Sequence, residues 1–276
     1  MLNASYYMRD PAVAGYFYPS NKKELERMLA SFFEKARKKV RERENVIGII
    51  VPHAGYIYSG LTAAYAYSSL PKNLKKTFVI IGPNHTGYGS EISVYPSGKW
   101  KTPLGEVEVD SEFVKELLKS CKFAEEDEAA HIYEHSIEVQ LPFLQFLYGN
   151  EFKIVPICLM DQSLEIAECL ANALIKIDKD FLLVASSDLN HYESYDVTQR
   201  KDMELINAIT SLDLKKFYRT LKNLNVSACG YGAIATLMSL TKKLNGKIEL
   251  LWHSTSAEVS KDYSSVVGYS ALIAFR

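Results

Sequence analysis

The sequence predicts an α/β fold, a single three-layer α/β/α domain over residues 1–276 with a mixed, mostly parallel central sheet. Short β-branched or apolar runs alternate with helical patterns, which is typical of βαβ units. The apolar runs are continuous rather than alternating, as in strands that are covered on both faces. No internal repeat, low-complexity segment or Pro/Ser-rich linker marks a boundary, and α/β folds reach this length as one unit.

The predicted strands end in Gly, Pro, His or Asp and occupy four runs: 46–53, 77–85, 152–159 and 181–191. Helical patterns cover five segments: 21–40, 111–121, 136–149, 163–177 and 231–244. Two further pairs of runs predict antiparallel hairpins: 92–100 with 105–110, and 247–259 with 264–275. Because these hairpins flank the βαβ units, we expect a mixed sheet.

Composition excludes several classes of protein. The formal net charge is -1, which supplies no global field for nucleic acid or a membrane surface. No apolar run approaches the ~18 residues that span a bilayer, and the N-terminus lacks the basic and apolar regions of a secretory signal. Four widely spaced cysteines without a CxxC pair argue against a zinc ribbon or a disulfide scaffold. These features favour a reduced, cytoplasmic protein.

Reactive side chains follow three of the predicted strands. His53 ends the first run, His85 ends the second, and Asp188 and His191 end the run 181–191. Ligands bind at the carboxyl ends of strands in open α/β sheets. Each histidine taken singly is best interpreted as a structural residue, but three histidines and an aspartate at one edge provide what divalent metals and acid/base catalysis require. The sequence therefore predicts a mononuclear metal site.

Cys229 is the predicted third ligand of this site. It lies just before the helical pattern 231–244, where a helix dipole stabilises a thiolate and thereby raises metal affinity and nucleophilicity. The other three cysteines lie within apolar-periodic elements and are interpreted as small buried hydrophobes: Cys121, Cys158 and Cys169.

The segment from His131 to His135 matches HxxEH, the inverted zinc-peptidase motif, with Glu134 as its general base. The helical pattern begins near His135 and places Pro142 at a kink, so the two rings would not share a helical face. We therefore expect His135 to line the metal site and His131 to lie at the surface. Tyr58 is expected in the substrate-binding wall, although the aromatic residues near it suit a core layer equally well.

Six segments together resemble the Memo family over nearly the whole chain: PAVAGYFYP, PHAGYIYSG, GPNH, EHSIEVQLPFLQ, SSDLNHY and ACGYGAI. Bacterial and archaeal members are also called AmmeMemoRadiSam system protein B. The resemblance implies a fold similar to the catalytic subunit of class III extradiol dioxygenases, which are non-haem iron enzymes. By motif, His53 and His85 match the two histidine ligands, and Cys229 falls where those enzymes have a carboxylate ligand.

The same resemblance assigns His191 as the catalytic acid/base and Asp188 as its orienting group or an alternative ligand. A thiolate in place of a carboxylate broadens the plausible metals from iron(II) to copper or zinc. The implied function is a metal-dependent redox activity on an unknown small-molecule or peptide substrate. A metal-free peptide- or ligand-binding module that uses the same pocket is the alternative, and the resemblance also suggests a radical-SAM enzyme and an AMMECR-domain protein as partners.

Overall fold

The computed structural model describes residues 8–74 and 76–276, so the first residues of the N-terminal segment, 1–7, lie outside the described part. The strands are β1 (Met8–Arg9), β2 (Val46–Val51), β3 (Thr77–Pro83), β4 (Ile92–Val94), β5 (Lys99–Thr102), β6 (Gly105–Val109), β7 (Ala124–Glu126), β8 (Lys153–Leu159), β9 (Phe181–Ser186), β10 (His191–Glu193), β11 (Lys247–Thr255) and β12 (Val266–Phe275).

The helices are α1 (Lys22–Arg37), α2 (Tyr56–Ser68), α3 (Ser111–Ser120), α4 (Leu141–Tyr148), α5 (Leu164–Leu174), α6 (Tyr195–Thr210), α7 (Leu214–Asn223), α8 (Tyr231–Lys243) and α9 (Ala257–Ser260). Two short 3₁₀ helices, Ala129–His131 and Glu138–Gln140, lie between β7 and α4. Within the described ranges, every helix is too short or too polar to cross a membrane.

The sheet runs in the order β1-β5-β6-β8-β3-β9-β2-β12-β10. Its centre, from β6 to β2, is parallel. The margins are antiparallel, since β5 pairs with β6 and β12 pairs with both β2 and β11. Because β8, β3, β9 and β2 run in one direction, the loops that follow them meet at a single edge of the sheet.

Helices cover both faces of the sheet. On one face α2 packs on β2, β11 and β12 and contacts α1 and α4, and on the other α8 packs on β9, β3 and β2 and contacts α5. The side chains of β2 and β3 are buried along their whole length, which explains their continuous apolar sequences. The prediction of an α/β fold with a mixed, mostly parallel sheet is confirmed.

Two details differ from the sequence prediction. The helical pattern 136–149 forms α4 only from Leu141, and Pro142 occupies its first turn rather than a kink. Helices α2, α6, α7 and α9 were not predicted, and α9 overlaps the end of the run 247–259, which was predicted as a strand. Helix α2 is buried on most of its surface and so lacks the polar face that reveals a helix in a sequence. Helix α7 does carry a regular apolar stripe, formed by Leu214, Phe217, Tyr218 and Leu221, which the prediction missed.

Candidate metal centre

A cavity of about 670 Å³ opens at the carboxyl edge of the parallel strands. The predicted site residues meet there: His53 after β2, His85 after β3, Asp188 after β9, His191 at the start of β10 and Cys229 before α8. His135, from the loop between β7 and α4, lines the same cavity. A second cavity of about 700 Å³ lies at the opposite edge, near the starts of β3 and β8, and the described residues that line it include neither histidine nor cysteine.

His53 is the most buried imidazole of the cavity, with 2% of its surface exposed. Its backbone N–H donates to Asp188 Oδ1 at 2.8 Å, and its Nε2 lies 3.0 Å from Cys229 Sγ. Burial lowers the pKa of His53 well below its usual range, and neighbouring imidazoles lower it further. The ring is therefore neutral, which is the form that binds a metal.

His85 is oriented by a buried carboxylate. Glu134 Oε1 lies 2.9 Å from His85 Nδ1, and Glu134 Oε2 accepts the backbone N–H of His85 at 2.6 Å. Because a carboxylate only accepts, Nδ1 carries the proton and Nε2 is left as a ligand atom. Burial alone would raise the pKa of Glu134, but its hydrogen bond to His85 and the nearby imidazoles lower it to about 2. Burial alone would lower the pKa of His85, but the hydrogen bond to Glu134 and the negative charge of Glu134 outweigh burial, so the pKa of His85 is raised.

His135 completes a group of three imidazoles. The ligand atoms of His53, His85 and His135 all lie within 4.8 Å of one another, so the group could hold a metal ion. The rings of His85 and His135 stack with centroids 4.6 Å apart, and Phe17 packs on His135 at the same centroid distance. Burial lowers the pKa of His135 to about 4, although Glu134 opposes the shift.

Cys229 reaches the cavity because α8 approaches the end of β9 closely. A Cβ atom at Gly230 would collide with the carbonyl oxygen of Ser186, so only glycine fits there. The backbone N–H of Asp188 points at Cys229 Sγ at 3.3 Å. Burial nevertheless raises the pKa of the Cys229 thiol, and the charge of Asp188 raises it further. Burial thus opposes the thiolate that the position before α8 favours, and the dipole-stabilised thiolate stays a prediction.

Asp188 and His191 also line the cavity, and Asp188 lies directly beside His53 and Cys229. Asp188 is buried, which raises the pKa of its carboxyl, while hydrogen bonds from the backbone N–H groups of His53 and Ala54 oppose that shift. His191 Nδ1 lies 2.9 Å from the carbonyl oxygen of Ser227. Because a carbonyl only accepts, His191 carries its proton on Nδ1 and turns an Nε2 lone pair away from Ser227.

The sequence profile described as "Memo-like protein" matches residues 9–273. The chain belongs to the Memo family. A MEMO1 family protein of Thermoplasma volcanium is 48% identical over 272 residues, which cover 98% of this chain and 99% of the relative. A MEMO1 family protein of Thermoplasma acidophilum is 48% identical over 265 residues, with 96% and 98% of the two chains covered. A third, from Nitrosopumilus maritimus, is 44% identical over 271 residues, with 96% and 98% covered.

Among solved structures, an uncharacterized protein of Escherichia coli K12 superposes with a TM-score of 0.51 at 13% identity, covering 82% of this chain and 98% of the other. At this identity the likeness concerns the fold alone. The family assignment rests on the sequence match, and the group of three histidines that could hold a metal rests on the geometry of the cavity. The two findings are independent of each other.

Two residues of the sequence prediction lie elsewhere. Tyr58 is 41% exposed on the first turn of α2, outside the set of described residues that line the cavity. The expectation that His131 lies at the surface is wrong. It is fully buried against the rings of Tyr95 and Trp100, and its Nε2 lies 3.1 Å from the carbonyl oxygen of Ser93.

Four residues at the site were not identified from the sequence: Glu134 as the partner of His85, Ser186 beside His53, Ser227 beside His191, and Phe17 in the cavity wall. A polar residue within an apolar run was the available signal for Ser186, which ends FLLVAS. Glu134 was distinguished in the sequence only by the HxxEH motif, which gave it a different role, because its contact with His85 spans 49 residues.

Proposed function

We propose that this Memo-family chain is a metal-dependent oxidoreductase that holds one iron(II) ion through His53, His85 and Cys229. The observation that carries the proposal is that His53 Nε2 adjoins Cys229 Sγ in the cavity that His85 also lines. His135 is the alternative third donor, since its ligand atom groups with those of the other two histidines.

The donor set suits a transition metal. The environment keeps His53 neutral, and Glu134 directs the proton of His85 to Nδ1, so both rings offer Nε2 as a donor. Imidazole and thiolate are ligands for iron, zinc and copper, whereas magnesium and calcium prefer oxygen. We propose iron because the fold resembles that of the extradiol dioxygenases, which are iron enzymes. Zinc and copper are the alternative metals for this site.

When bound, iron would supply the redox chemistry, with coordination positions left open for oxygen or a substrate. The chain's own residues would move the proton. His191 Nε2 is free to accept one from a substrate in the cavity, because Nδ1 is committed to Ser227. Asp188 accepts the backbone N–H of His53, which fixes the loop that begins there, and its carboxylate lies near enough to His191 to interact with it through charge.

The test is anaerobic titration of the metal-free protein with iron(II), followed by oxygen-consumption assays with catechols and thiols. We expect a single ion per chain in the wild type and loss of binding in His53→Ala and Cys229→Ala. Cys169→Ala and His253→Gln are matched controls, because both residues lie outside the residues that line the cavity. Retention of iron in both cavity variants would refute the ligand assignment.

A metal-free binding module is the second candidate. Tyr192, 77% exposed, lines the cavity and offers an aromatic surface to a peptide or small ligand. This function requires that ligand affinity survive chelation of all metal, whereas the oxidoreductase requires metal for activity. Action together with a radical-SAM enzyme and an AMMECR-domain protein stays a prediction from the resemblance, and a cytoplasmic location stays a prediction from the composition of the sequence.

The hydrolytic interpretation of HxxEH has less support. It requires His131 and His135 on one metal with Glu134 as the base. His131 is enclosed by aromatic rings, and the carboxylate of Glu134 is committed to His85 and to backbone N–H groups. A Glu134→Gln variant that lost peptidase activity, while His53→Ala kept it, would restore this candidate.

A further inference from the structure

We propose that Ser186 and Gln140 form a buried positioning pair that fixes the tautomer of His53 and thereby aims its Nε2 lone pair into the cavity. The proposal rests on the proposed function in one respect, since it takes His53 as a metal ligand. Neither residue lines the cavity, and both are completely buried. Their role is therefore to position His53 rather than to contact a ligand.

The hydroxyl of Ser186 has three neighbours at hydrogen-bond distance. Its Oγ lies 2.9 Å from His53 Nδ1, 2.9 Å from Gln140 Nε2 and 2.7 Å from the carbonyl oxygen of Ser136. A hydroxyl has one proton to donate and two lone pairs with which to accept. All three contacts are satisfied only if one neighbour accepts and two donate.

Gln140 and Ser136 determine which neighbour accepts. Gln140 Nε2 also donates to the carbonyl oxygen of Pro52 at 3.0 Å, and a carbonyl can only accept, so reversing the amide would lose this bond and set two acceptors against each other. In the same orientation Gln140 Oε1 accepts from the Tyr67 hydroxyl at 2.9 Å. Gln140 is therefore a donor to Ser186. The carbonyl of Ser136 can only accept, so the Ser186 proton points to it.

His53 Nδ1 must then be the second donor to Ser186. The other tautomer would leave Nδ1 facing the same oxygen without a proton between them, or would turn the Ser186 proton away from the carbonyl of Ser136, and either arrangement leaves a buried polar atom without its hydrogen bond. With its proton on Nδ1, His53 presents Nε2 unprotonated toward Cys229 Sγ. His85 and His191 reach the same state through Glu134 and the Ser227 carbonyl.

The same hydroxyl joins two parts of the site. Ser136 follows His135 directly, so Ser186 connects the loop carrying His135 to the end of β9 and to His53. Loss of the hydroxyl therefore removes the acceptor of His53 and loosens the neighbouring loop. Removing the hydrogen-bond partner of a metal-binding histidine typically lowers the metal affinity by about 10–100-fold.

The test uses the full-length protein labelled with ¹⁵N-histidine. Long-range ¹H–¹⁵N correlation spectra of the metal-free protein distinguish a proton on Nδ1 from one on Nε2, and His53→Gln assigns the signals. We expect the Nδ1–H form for His53 in the wild type and in Ser186→Thr, which keeps a hydroxyl. In Ser186→Ala we expect a shift toward the Nε2–H form, and zinc and iron(II) affinities lower by about 10–100-fold.

Ser239→Ala is the matched control, because it removes a buried hydroxyl from α8 outside the residues that line the cavity. A wild-type His53 with its proton on Nε2 would overturn the proposal even if Ser186→Ala did not fold. So would an unchanged tautomer in a folded Ser186→Ala. If the wild type bound no metal, the proposed function would fail, while the tautomer measurement would still decide this inference.

Discussion

His53 Nε2 lies 3.0 Å from Cys229 Sγ, although 176 residues separate the two in the chain. His53 follows the central strand β2, in the N-terminal half of the sequence, and Cys229 precedes helix α8, in the C-terminal half. Burial lowers the pKa of His53 and raises the pKa of the Cys229 thiol, so it favours the uncharged form of each. A metal ion would displace the thiol proton, so binding is expected to release protons.

This contact predicts that Cys229 rather than His135 is the third ligand. Cobalt(II) loaded into the protein is expected to show a thiolate-to-metal charge-transfer absorption that disappears in Cys229→Ser and persists in His135→Gln. Metal affinity should fall in Cys229→Ser by more than the roughly 10–100-fold typical of losing a ligand's partner. An absorption spectrum without a thiolate band in the wild type would favour the three-histidine set instead.

Glu134→Gln should weaken metal binding by about 10–100-fold, because the amide no longer reinforces the Nδ1–H form of His85. Folding stability should fall by about 1–3 kcal/mol, since the buried carboxylate also accepts the backbone N–H groups of His135 and Ser136. Metal titration and urea unfolding measure the two effects. Glu126→Gln, on an exposed carboxylate of β7, should change neither quantity.

The burial of His131 predicts a loss of stability in acid. Burial lowers the pKa of His131 to about 4, from an ordinary value of 6.5. As the pH falls below the ordinary value, the unfolded chain binds a proton that the folded protein excludes, so the free energy of unfolding decreases. The decrease continues to about pH 4 and reaches at most about 3 kcal/mol from this residue.

His131→Gln isolates this contribution, because its amide can still donate to the Ser93 carbonyl but does not titrate. Urea unfolding at about pH 7.5 and about pH 4.5 with a chelator present should show a smaller difference between the two pH values in the variant than in the wild type. Equal differences would mean that His131 is not protonated on unfolding in this range.

Arg9→Met should destabilise the protein by about 3–5 kcal/mol, because it leaves the carboxylate of Glu138 buried without its cation. Arg9 Nη1 lies 2.7 Å from Glu138 Oε2, and its other nitrogens donate to the carbonyl oxygens of His131 and Glu134. Thermal unfolding of the metal-free protein is the measurement. The double variant with Glu138→Leu should recover part of the loss, and the exposed Lys38→Met should have no measurable effect.

The sequence predicted the fold because its central strands are buried on both faces and are therefore continuous apolar runs. It also placed His53 and His85 correctly at strand ends, since a residue that follows a parallel strand belongs to the ligand-binding edge. Helix α2 escaped prediction because it is buried on most of its surface and lacks a polar face, whereas the apolar stripe of α7 was present in the sequence and was missed. The boundary of α4 was misplaced because the segment before it forms a 3₁₀ turn.

The partners of the site histidines could not be predicted from the sequence. Glu134 and Ser186 contact His85 and His53 across 49 and 133 residues, and such pairings follow from tertiary packing rather than from local pattern. His131 was misplaced for the same reason, since Trp100 and Tyr95 that enclose it come from another part of the sheet. The effect of burial on the Cys229 thiol could not be predicted either, because the degree of desolvation is a property of the folded cavity.

The walls of the cavity come from segments that extend from Phe17 to Val267. A fragment that ends short of either residue would therefore lack part of the wall, and the site forms only when these distant segments have come together in the fold. A ligand held there binds the native state alone, and at a concentration a hundred times its dissociation constant it adds about 2.7 kcal/mol to global stability. Screening for compounds that raise the melting temperature would thus sample candidate substrates without knowledge of the reaction.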